Sequence, residues 1–200
     1  MRYPVIAIER EYASGGREIG QRAADLLGVP CYDSEVLHQA AEHAGLSREY
    51  AEQVDETAPS SLLYSLYDTA QSISLPTGNQ PLENKLQQAE ERIIRRLAEQ
   101  GKGCVIIGRC AGAILKERYD CLRVFIHADL ESRRQRAVKA YGVDPERVNS
   151  QLKRCDRRRA QYYAFYSLQR WDDKADYHLM LDSSKLGFDV CAQIIAAAAR

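Results

Sequence analysis

The chain has 200 residues, enough for one domain with a sizeable hydrophobic core. Its 28 basic and 28 acidic residues give a formal net charge of zero. This balance argues against a protein that acts mainly by neutralising a nucleic-acid backbone or an anionic membrane. No apolar run approaches the roughly 18 residues of a membrane-spanning helix. We therefore predict a cytoplasmic protein without a membrane partner, in which any anion-binding site is local.

The first 33 residues follow a strand, turn and helix order. Val5 to Ile8 form a continuous apolar run, which is typical of a strand buried on both faces of a parallel sheet. Two glycines, Gly15 and Gly16, then precede an amphipathic helix that is predicted to end at Gly28. A short strand follows at 29–32, and a helix capped near Asp33 is predicted to run to about residue 43.

The next segment changes composition. After a second short helix predicted from Ser47, residues 57–81 are rich in serine and proline, which predicts a mobile insertion with some helix. Apolar residues then recur every three or four positions over 82–97, the pattern of an amphipathic helix that is closed by Gly101.

The second half continues the alternation of strands and helices. Strands are predicted at 104–107, 122–126 and 177–181, and helices from Arg109 to about Arg118, from Asp129 to about Gly142, from Asp144 to about Leu168, and from Leu186 to Ala199. This order predicts a three-layer α/β domain with a parallel sheet and right-handed crossovers.

The six cysteines and four histidines are dispersed along the chain. Their spacing supports neither a disulfide framework nor a metal site. Cys104 and Cys121 lie inside apolar runs, where free cysteine usually behaves as a small buried hydrophobic residue.

Chemistry-bearing residues follow several of the predicted strands, at the edge where an open parallel sheet binds its ligands. The glycines after the first strand would expose backbone N–H groups and the positive end of a helix dipole, so Ser14, Gly15, Gly16 and Arg17 are candidates for holding phosphate oxygens. The alternative is that the two glycines form only a tight turn between strand and helix.

The glycine segment departs from the P-loop pattern G-x-x-x-x-G-K-[ST]. Only Gly16 matches a fixed position; Arg17 stands at the lysine and Glu18 at the hydroxyl residue. Arg17 keeps the cation and adds a planar fork suited to phosphate. Glu18 leaves two alternatives open, because a carboxylate there could hold Mg²⁺ through water or repel phosphate.

Taken together, several segments resemble those of the cytidylate kinase-like family, P-loop relatives of the nucleoside monophosphate kinases. The resemblance covers residues 3–199 and is carried by Arg10-Glu11-Tyr12, Ser14 to Gly20, Tyr32-Asp33, Gly108-Arg109, Phe125-Ile126, Asp156 to Tyr163, Trp171 and Leu181 to Ser184. It implies a three-layer P-loop NTPase fold with a five-stranded parallel sheet flanked by helices. The core would comprise 1–33, 82–141 and 173–200, with an inserted monophosphate-binding region at 34–81 and a helical lid at 142–172.

The resemblance also implies roles for individual residues. Ser14, Gly15, Gly16, Arg17 and Glu18 would form the ATP-phosphate site, with Asp33 and Arg109 on the acceptor side. Arg17, Asp156 and Arg159 would act in catalysis, and the lid arginines would be Arg133, Arg136, Arg154 and Arg158. ATP and Mg²⁺ are the implied cofactors, and nucleotides are the implied partners. Cys110 stands where the family has a second acid after the glycine and arginine, and this leaves the choice of nucleotide open.

Phosphoryl transfer explains why arginines from separate segments would be useful, since catalysis depends on positioning and charge neutralisation. On a helix, Arg154 and Arg158 share one face, whereas Asp156, Arg159 and Tyr163 share another, so Asp156 could orient Arg159. The alternatives are a solvated, salt-bridged helix face or a basic and aromatic nucleic-acid surface, which the zero net charge disfavours. Asp33 could equally be an N-cap, and Arg109 a surface ion-pair residue.

The sequence thus predicts a kinase that transfers the γ-phosphate of ATP to a nucleoside monophosphate, with CMP as a candidate acceptor. The alternative from another class is a non-catalytic nucleotide-binding or regulatory protein that retains the kinase fold, because Arg17 and Glu18 alter the transfer site.

Overall fold

In the computed structural model, residues 1–33 and 82–200 are described. The helices expected between Asp33 and residue 81, and the inserted region predicted at 34–81, lie outside them. The chain divides into two units, Met1–Tyr32 with Ala98–Arg200 and Asp33–Leu97.

The first unit is built around a five-stranded parallel sheet in the order β2-β3-β1-β4-β5. The strands are β1 Val5–Arg10, β2 Cys31–Tyr32, β3 Cys104–Ile107, β4 Cys121–His127 and β5 Leu179–Asp182. The central strand β1 pairs with β3 and with β4, so Ile8 lies between Ile107 and Val124. The predicted parallel sheet is confirmed.

The described helices alternate with these strands as the sequence predicts. They are α1 Gly16–Leu27, α2 Leu82–Glu99, α3 Ala111–Leu115, α4 Leu130–Tyr141, α5 Val148–Ser167, α6 Ser183–Leu186 and α7 Phe188–Ala199. The predicted caps of α4 are confirmed, since the Asp129 carboxylate accepts the Ser132 N–H and Gly142 follows in the left-handed conformation. In the second unit, α2 follows its predicted periodicity and buries Ile93 and Ile94.

Among the element boundaries that differ from prediction, four have a local reason. Helix α3 ends at Leu115 because the Arg118 N–H turns back to the Leu115 carbonyl. Helix α5 begins at Val148, not at Asp144, because the Asp144 carboxylate accepts the Glu146 N–H and makes a separate turn.

The last two differences lie near the carboxyl terminus. Strand β5 begins at Leu179 because Tyr177 is bound into a 3-10 turn at Lys174–Asp176. The predicted last helix is α7, which begins at Phe188 and not at Leu186 because Gly187 adopts φ +76°, and the short helix α6 before it was not predicted.

Alternation along β1 sends its side chains to two separate layers. Ile6 and Ile8 pack with α1 and α7 in one apolar cluster, which also contains Ile19 and Ile195. The opposite face of the sheet is covered by a second cluster of Cys110, Phe125, Tyr163 and Trp171. Glu9 points to this second face, which is the aromatic side of the domain.

All six cysteines are free thiols. Cys104 and Cys121 are buried, as predicted, and burial raises the pKa of each thiol to about 12. Both therefore remain protonated and pack as apolar side chains. Within residues 1–33 and 82–200, no helix is long and apolar enough to cross a membrane.

Candidate active site

The carboxyl ends of β1, β3 and β4 lie side by side at one edge of the sheet, because the three strands are parallel neighbours. Two segments begin there: the glycine loop, defined here as residues 11–18 and including the first turn of α1, and the Arg109 turn, residues 108–110. Asp33 directly follows β2 and begins the second unit, and its acceptor role stays a prediction.

Ser14 shapes the glycine loop from within. Its hydroxyl donates to the Glu11 carbonyl at 2.9 Å and to the Ile126 carbonyl at 3.2 Å. Its own carbonyl accepts the Ser183 hydroxyl at 2.6 Å. The side chain is buried by these contacts, so Ser14 joins the loop to the ends of β4 and β5, and its phosphate-binding role stays a prediction.

Helix α1 begins without a side-chain cap. Gly15 is its N-cap in the left-handed conformation at φ +82°, and a glycine has no side chain that could accept the first N–H groups. The first turn of a helix has no intrahelical partners for these donors, and the macrodipole favours an anion there. The end of α1 thus has the donors that a phosphate group requires.

Both loop glycines are also required by packing. A Cβ atom on Gly15 would lie 2.1 Å from the ring of Phe188, and one on Gly16 would lie 2.6 Å from the Arg10 Cβ. The backbone of the loop therefore packs closely against α7 on one side and the end of β1 on the other.

Glu18 forms an ion pair with Arg136 of α4. The Arg136 guanidinium also lies over the Phe188 ring, 4.6 Å from its centroid. Glu18 stands where the P-loop pattern has Ser or Thr. Its negative charge is balanced by Arg136, which reduces its repulsion of phosphate. Arg17 is exposed at the start of α1.

Asp156 of α5 binds the glycine loop directly. Its carboxylate accepts the Tyr12 N–H at 2.7 Å and forms an ion pair with Arg133 of α4. Arg133 in turn donates to the Tyr12 carbonyl at 2.8 Å and pairs with Glu11 at 3.1 Å. Arg133 is thus buried in a network that ties α4 and α5 to the loop.

Arg159 lies one helical turn beyond Asp156, but its hydrogen bond runs elsewhere. Its Nη1 donates to the Arg10 carbonyl at 2.9 Å, at the point where β1 becomes the glycine loop. Burial, together with the charge of Arg10, lowers the pKa of Arg159 to about 10, against the opposing effect of Asp156. Asp156 therefore affects Arg159 through its charge, while its hydrogen bonds orient Tyr12 and Arg133.

The other two predicted lid arginines, Arg154 and Arg158, are less buried than Arg133. Arg154 is exposed and donates to Gln151 of its own helix, as the solvated-face alternative expects. Arg158 is half-buried.

The Arg109 turn has an unusual backbone. Gly108, Arg109 and Cys110 all adopt positive φ, at +79°, +57° and +54°. The Gly108 N–H donates to the Ile8 carbonyl at 2.9 Å, and the Arg109 guanidinium lies 5.8 Å from the Tyr162 ring centroid. A left-handed conformation costs a non-glycine residue about 1–2 kcal/mol, so surrounding contacts must hold this turn.

Glu9 is a site residue that the sequence analysis missed. It is 6% exposed and accepts the Trp171 Nε1–H at 3.2 Å. Burial raises its pKa, opposed by Arg10, by the indole N–H, by Arg159 and by the Cys110 N–H. The sequence shows only an acid that ends an apolar run, and nothing local indicates its burial.

The described residues contain no cluster of three His, Cys, Asp or Glu side chains able to hold a metal ion. Mg²⁺ often keeps several waters and binds through substrate phosphates with one or two carboxylates. A metal that arrived bound to the phosphates of a nucleotide would not need such a cluster.

Comparison with known proteins agrees with this architecture. The family profile of the cytidylate kinase-like family matches residues 5–185. An uncharacterized protein from Eubacterium ventriosum has a similar structure, with a TM-score of 0.72 and 23% identity over 98% of this chain and 97% of that one. No curated protein sequence matches.

Shikimate kinases share the fold. The enzyme from Acinetobacter baumannii, in complex with shikimate, has a TM-score of 0.54 and 16% identity over 98% of this chain and 92% of its own. The enzyme from Bacteroides thetaiotaomicron has a TM-score of 0.56 and 13% identity over 97% and 96%. At these identities the likeness establishes the fold alone, a three-layer P-loop kinase fold, as the sequence analysis expects.

Proposed function

Because the chain belongs to the cytidylate kinase-like family, we propose that it transfers the γ-phosphate of ATP to a nucleoside monophosphate, with CMP as the first acceptor to test. The observation that carries the proposal is the glycine start of α1, next to which two residues of one helix bind the backbone, Asp156 at Tyr12 in the loop and Arg159 at Arg10, the last residue of β1.

On the donor side, the backbone N–H groups of Gly15 and Gly16 and the Arg17 side chain would hold the ATP phosphates. These donors suit transfer chemistry because a dry, preorganised set of N–H groups stabilises charge on phosphoryl oxygens. Mg²⁺, bound to the phosphates, would neutralise part of their charge. Glu18 would act indirectly, since its carboxylate positions Arg136 beside the loop.

On the acceptor side, Arg109 would bind the monophosphate, and the acceptor role of Asp33 stays a prediction. The acceptor role of Arg109 is supported by its place after β3, which is the neighbour of β1 in the sheet. Donor and acceptor phosphates could therefore bind next to each other, at the carboxyl ends of these two strands. Arg159 would contribute when the lid segment, residues 142–172, closes on both nucleotides.

The experiment is a coupled assay of ADP formation with ATP and Mg²⁺ and a panel of nucleoside monophosphates. Shikimate belongs in the panel as a non-nucleotide acceptor, because proteins of the same fold phosphorylate it. The proposal expects ADP formation that depends on a monophosphate and stops when EDTA removes the metal. Acceptor-dependent turnover with shikimate alone would contradict it.

One observation favours a second function, a nucleotide-binding protein without turnover. Glu18 stands where the P-loop pattern has a hydroxyl residue, and it forms an ion pair instead of presenting a neutral ligand. Calorimetry separates the two functions: ATP binding without ADP formation from any acceptor would favour the binding protein.

A further inference from the structure

Glu9 connects three parts of the candidate site. It stands near the carboxyl end of the central strand β1, its carboxylate accepts the backbone N–H of Cys110, and it also accepts the Trp171 Nε1–H at 3.2 Å. Cys110 belongs to the Arg109 turn, and Trp171 lies at the end of the lid segment. One buried carboxylate thus joins β1, the turn and the lid.

The backbone conformation of the Arg109 turn depends on hydrogen bonds to β1. Three successive left-handed residues are costly, and two of them, Arg109 and Cys110, have side chains. The turn is attached to β1 at two consecutive residues, through the Gly108 N–H to the Ile8 carbonyl and through the Cys110 N–H to Glu9. The second attachment directly follows Arg109, so it constrains the backbone that carries the Arg109 side chain.

The donors and cations around Glu9 favour its ionised form and so oppose the rise in pKa that burial causes. Both neighbours that bind Glu9 are N–H donors, and a carboxylate offers two acceptor oxygens and no donor. Arg10 and Arg159 add positive charge around it. Trp171 is itself fixed, because its ring packs edge-on against Phe125 with centroids 5.1 Å apart.

We propose that Glu9 is a positioning residue: its carboxylate holds the Arg109 turn in the orientation that presents Arg109 to an acceptor phosphate, and links that turn to the lid segment through Trp171. This rests on the proposed acceptor role of Arg109. Glu9 itself is buried and does not contact the substrate.

The proposal has an electrostatic consequence. The titratable and charged groups that surround Glu9 are Arg10 of β1, Cys110 of the turn, Arg159 and Tyr163 of α5, and Tyr177 beyond Trp171. A phosphate bound at Arg109 would add negative charge near this carboxylate, and a like charge raises the pKa of an acid. Phosphate binding should therefore shift the titration of Glu9 to higher pH.

Trp171 reports that titration directly, because it is the only tryptophan in the chain and it donates to Glu9. The first experiment follows its emission against pH in the wild-type protein, with and without inorganic phosphate. We expect a transition above the ordinary range of glutamate that moves to higher pH with phosphate. A transition that does not move would overturn the link between Glu9 and the turn.

Arg109→Ala is the control for the place of binding. The phosphate-dependent shift should vanish in this variant. A shift that persists would place the phosphate elsewhere and overturn the proposal. Both measurements need no catalysis, so they test Glu9 even if the proposed kinase activity fails.

The second experiment compares the kinetics of Glu9→Gln with those of Asp25→Asn, which removes an exposed carboxylate on α1. The amide keeps the size of Glu9 but cannot accept both N–H groups through a charged oxygen. Loss of a hydrogen bond to a charged group corresponds to roughly tenfold or more. We expect the KM for the monophosphate to rise about tenfold, with the Kd for ATP unchanged and Asp25→Asn at wild-type values.

A merely structural Glu9 would give a different pattern. Glu9→Gln would then lower the thermal midpoint and the apparent kcat, through a smaller folded fraction, and leave the acceptor KM unchanged. That result would overturn the proposal. Should Glu9→Gln fail to fold, the emission titration of the wild-type protein decides the question alone.

Discussion

The glycine loop and the Arg109 turn occupy equivalent places on neighbouring strands, yet they are built differently. Each follows a buried strand, and each contains left-handed residues, Ala13 and Gly15 in the loop and residues 108–110 in the turn. In the loop, the side chains of Ser14 and Glu18 bind other parts of the protein. Asp156 of α5 also binds the loop at Tyr12, whereas the turn carries Arg109 and is bound by Glu9 of β1.

The difference shows two ways of preparing an anion site. The loop precedes a helix of 12 residues, so backbone N–H groups and the macrodipole supply its attraction for anions. The turn precedes a helix of only five residues, so its attraction must come from a charged side chain whose direction is controlled. Under the proposed function, the loop would bind the phosphate chain of the donor and the turn would bind the single phosphate of the acceptor.

The largest effect is expected where α5 meets the start of the loop. Arg159→Ala should lower kcat by about 10²-fold or more, the scale of a lost transition-state donor, while the Kd for ATP changes little. Arg158→Ala, on the neighbouring face, should lower kcat less. Single-turnover kinetics and calorimetry on both variants provide the measurement. A full-rate Arg159→Ala enzyme would remove Arg159 from the mechanism.

Substitution of Arg17 in the loop and of Arg109 in the turn tests whether the loop binds ATP and the turn binds the monophosphate. Arg17→Ala should weaken ATP binding by about 1.5–3 kcal/mol, the range for charge-assisted hydrogen bonds. Arg109→Ala should raise the KM for the monophosphate and leave the Kd for ATP near its wild-type value. If either variant loses affinity for both ligands equally, the division between loop and turn is wrong.

Glycine replacements compare the packing of the two regions. Gly15→Ala meets the Phe188 ring at 2.1 Å, whereas Gly108→Ala meets the end of the flexible Arg10 side chain at 2.0 Å. Gly28→Ala, at φ +67° with no atom within 4 Å, measures the backbone cost alone. We expect Gly15→Ala to lower the free energy of unfolding by about 1–3 kcal/mol more than Gly28→Ala, and Gly108→Ala to fall between them.

Urea unfolding of the three variants gives these differences. Equal losses for Gly15→Ala and Gly28→Ala would mean that the loop accommodates a side chain, against the packing described here.

The smallest effect is expected away from both regions, at the cap of α4. Hydrogen bonds from Ser132 and Ser184 hold the pKa of Asp129 below its ordinary value. Its contribution to stability is therefore present above the unfolded-state pKa and is lost as pH falls through the folded-state pKa. Asp129→Ala should lower the urea midpoint slightly at neutral pH and match the wild type at about pH 2. A difference that persists in acid would assign the effect to packing.

Much of the fold was predictable because local patterns determine it. Continuous apolar runs predicted β1 and β3, and Asp129 and Gly142 predicted the ends of α4. Boundaries were predicted less well where a side chain competes with the helix, as Asp144 does at the start of α5. The insertion and lid boundaries remain predictions.

In the candidate site, too, some features follow from local sequence patterns and others do not. By itself, the sequence determined which residues follow which strands, and hence that Gly15, Gly16 and Arg109 lie at one edge of a parallel sheet, because strand direction follows from the order of strands and helices. Only the tertiary structure decided which partners the charged side chains bind. Glu18 pairs with Arg136, Asp156 accepts the Tyr12 N–H, and Glu9 is buried and accepts the Trp171 Nε1–H. These contacts join residues far apart in the chain, and no local periodicity encodes which distant donor a carboxylate will find.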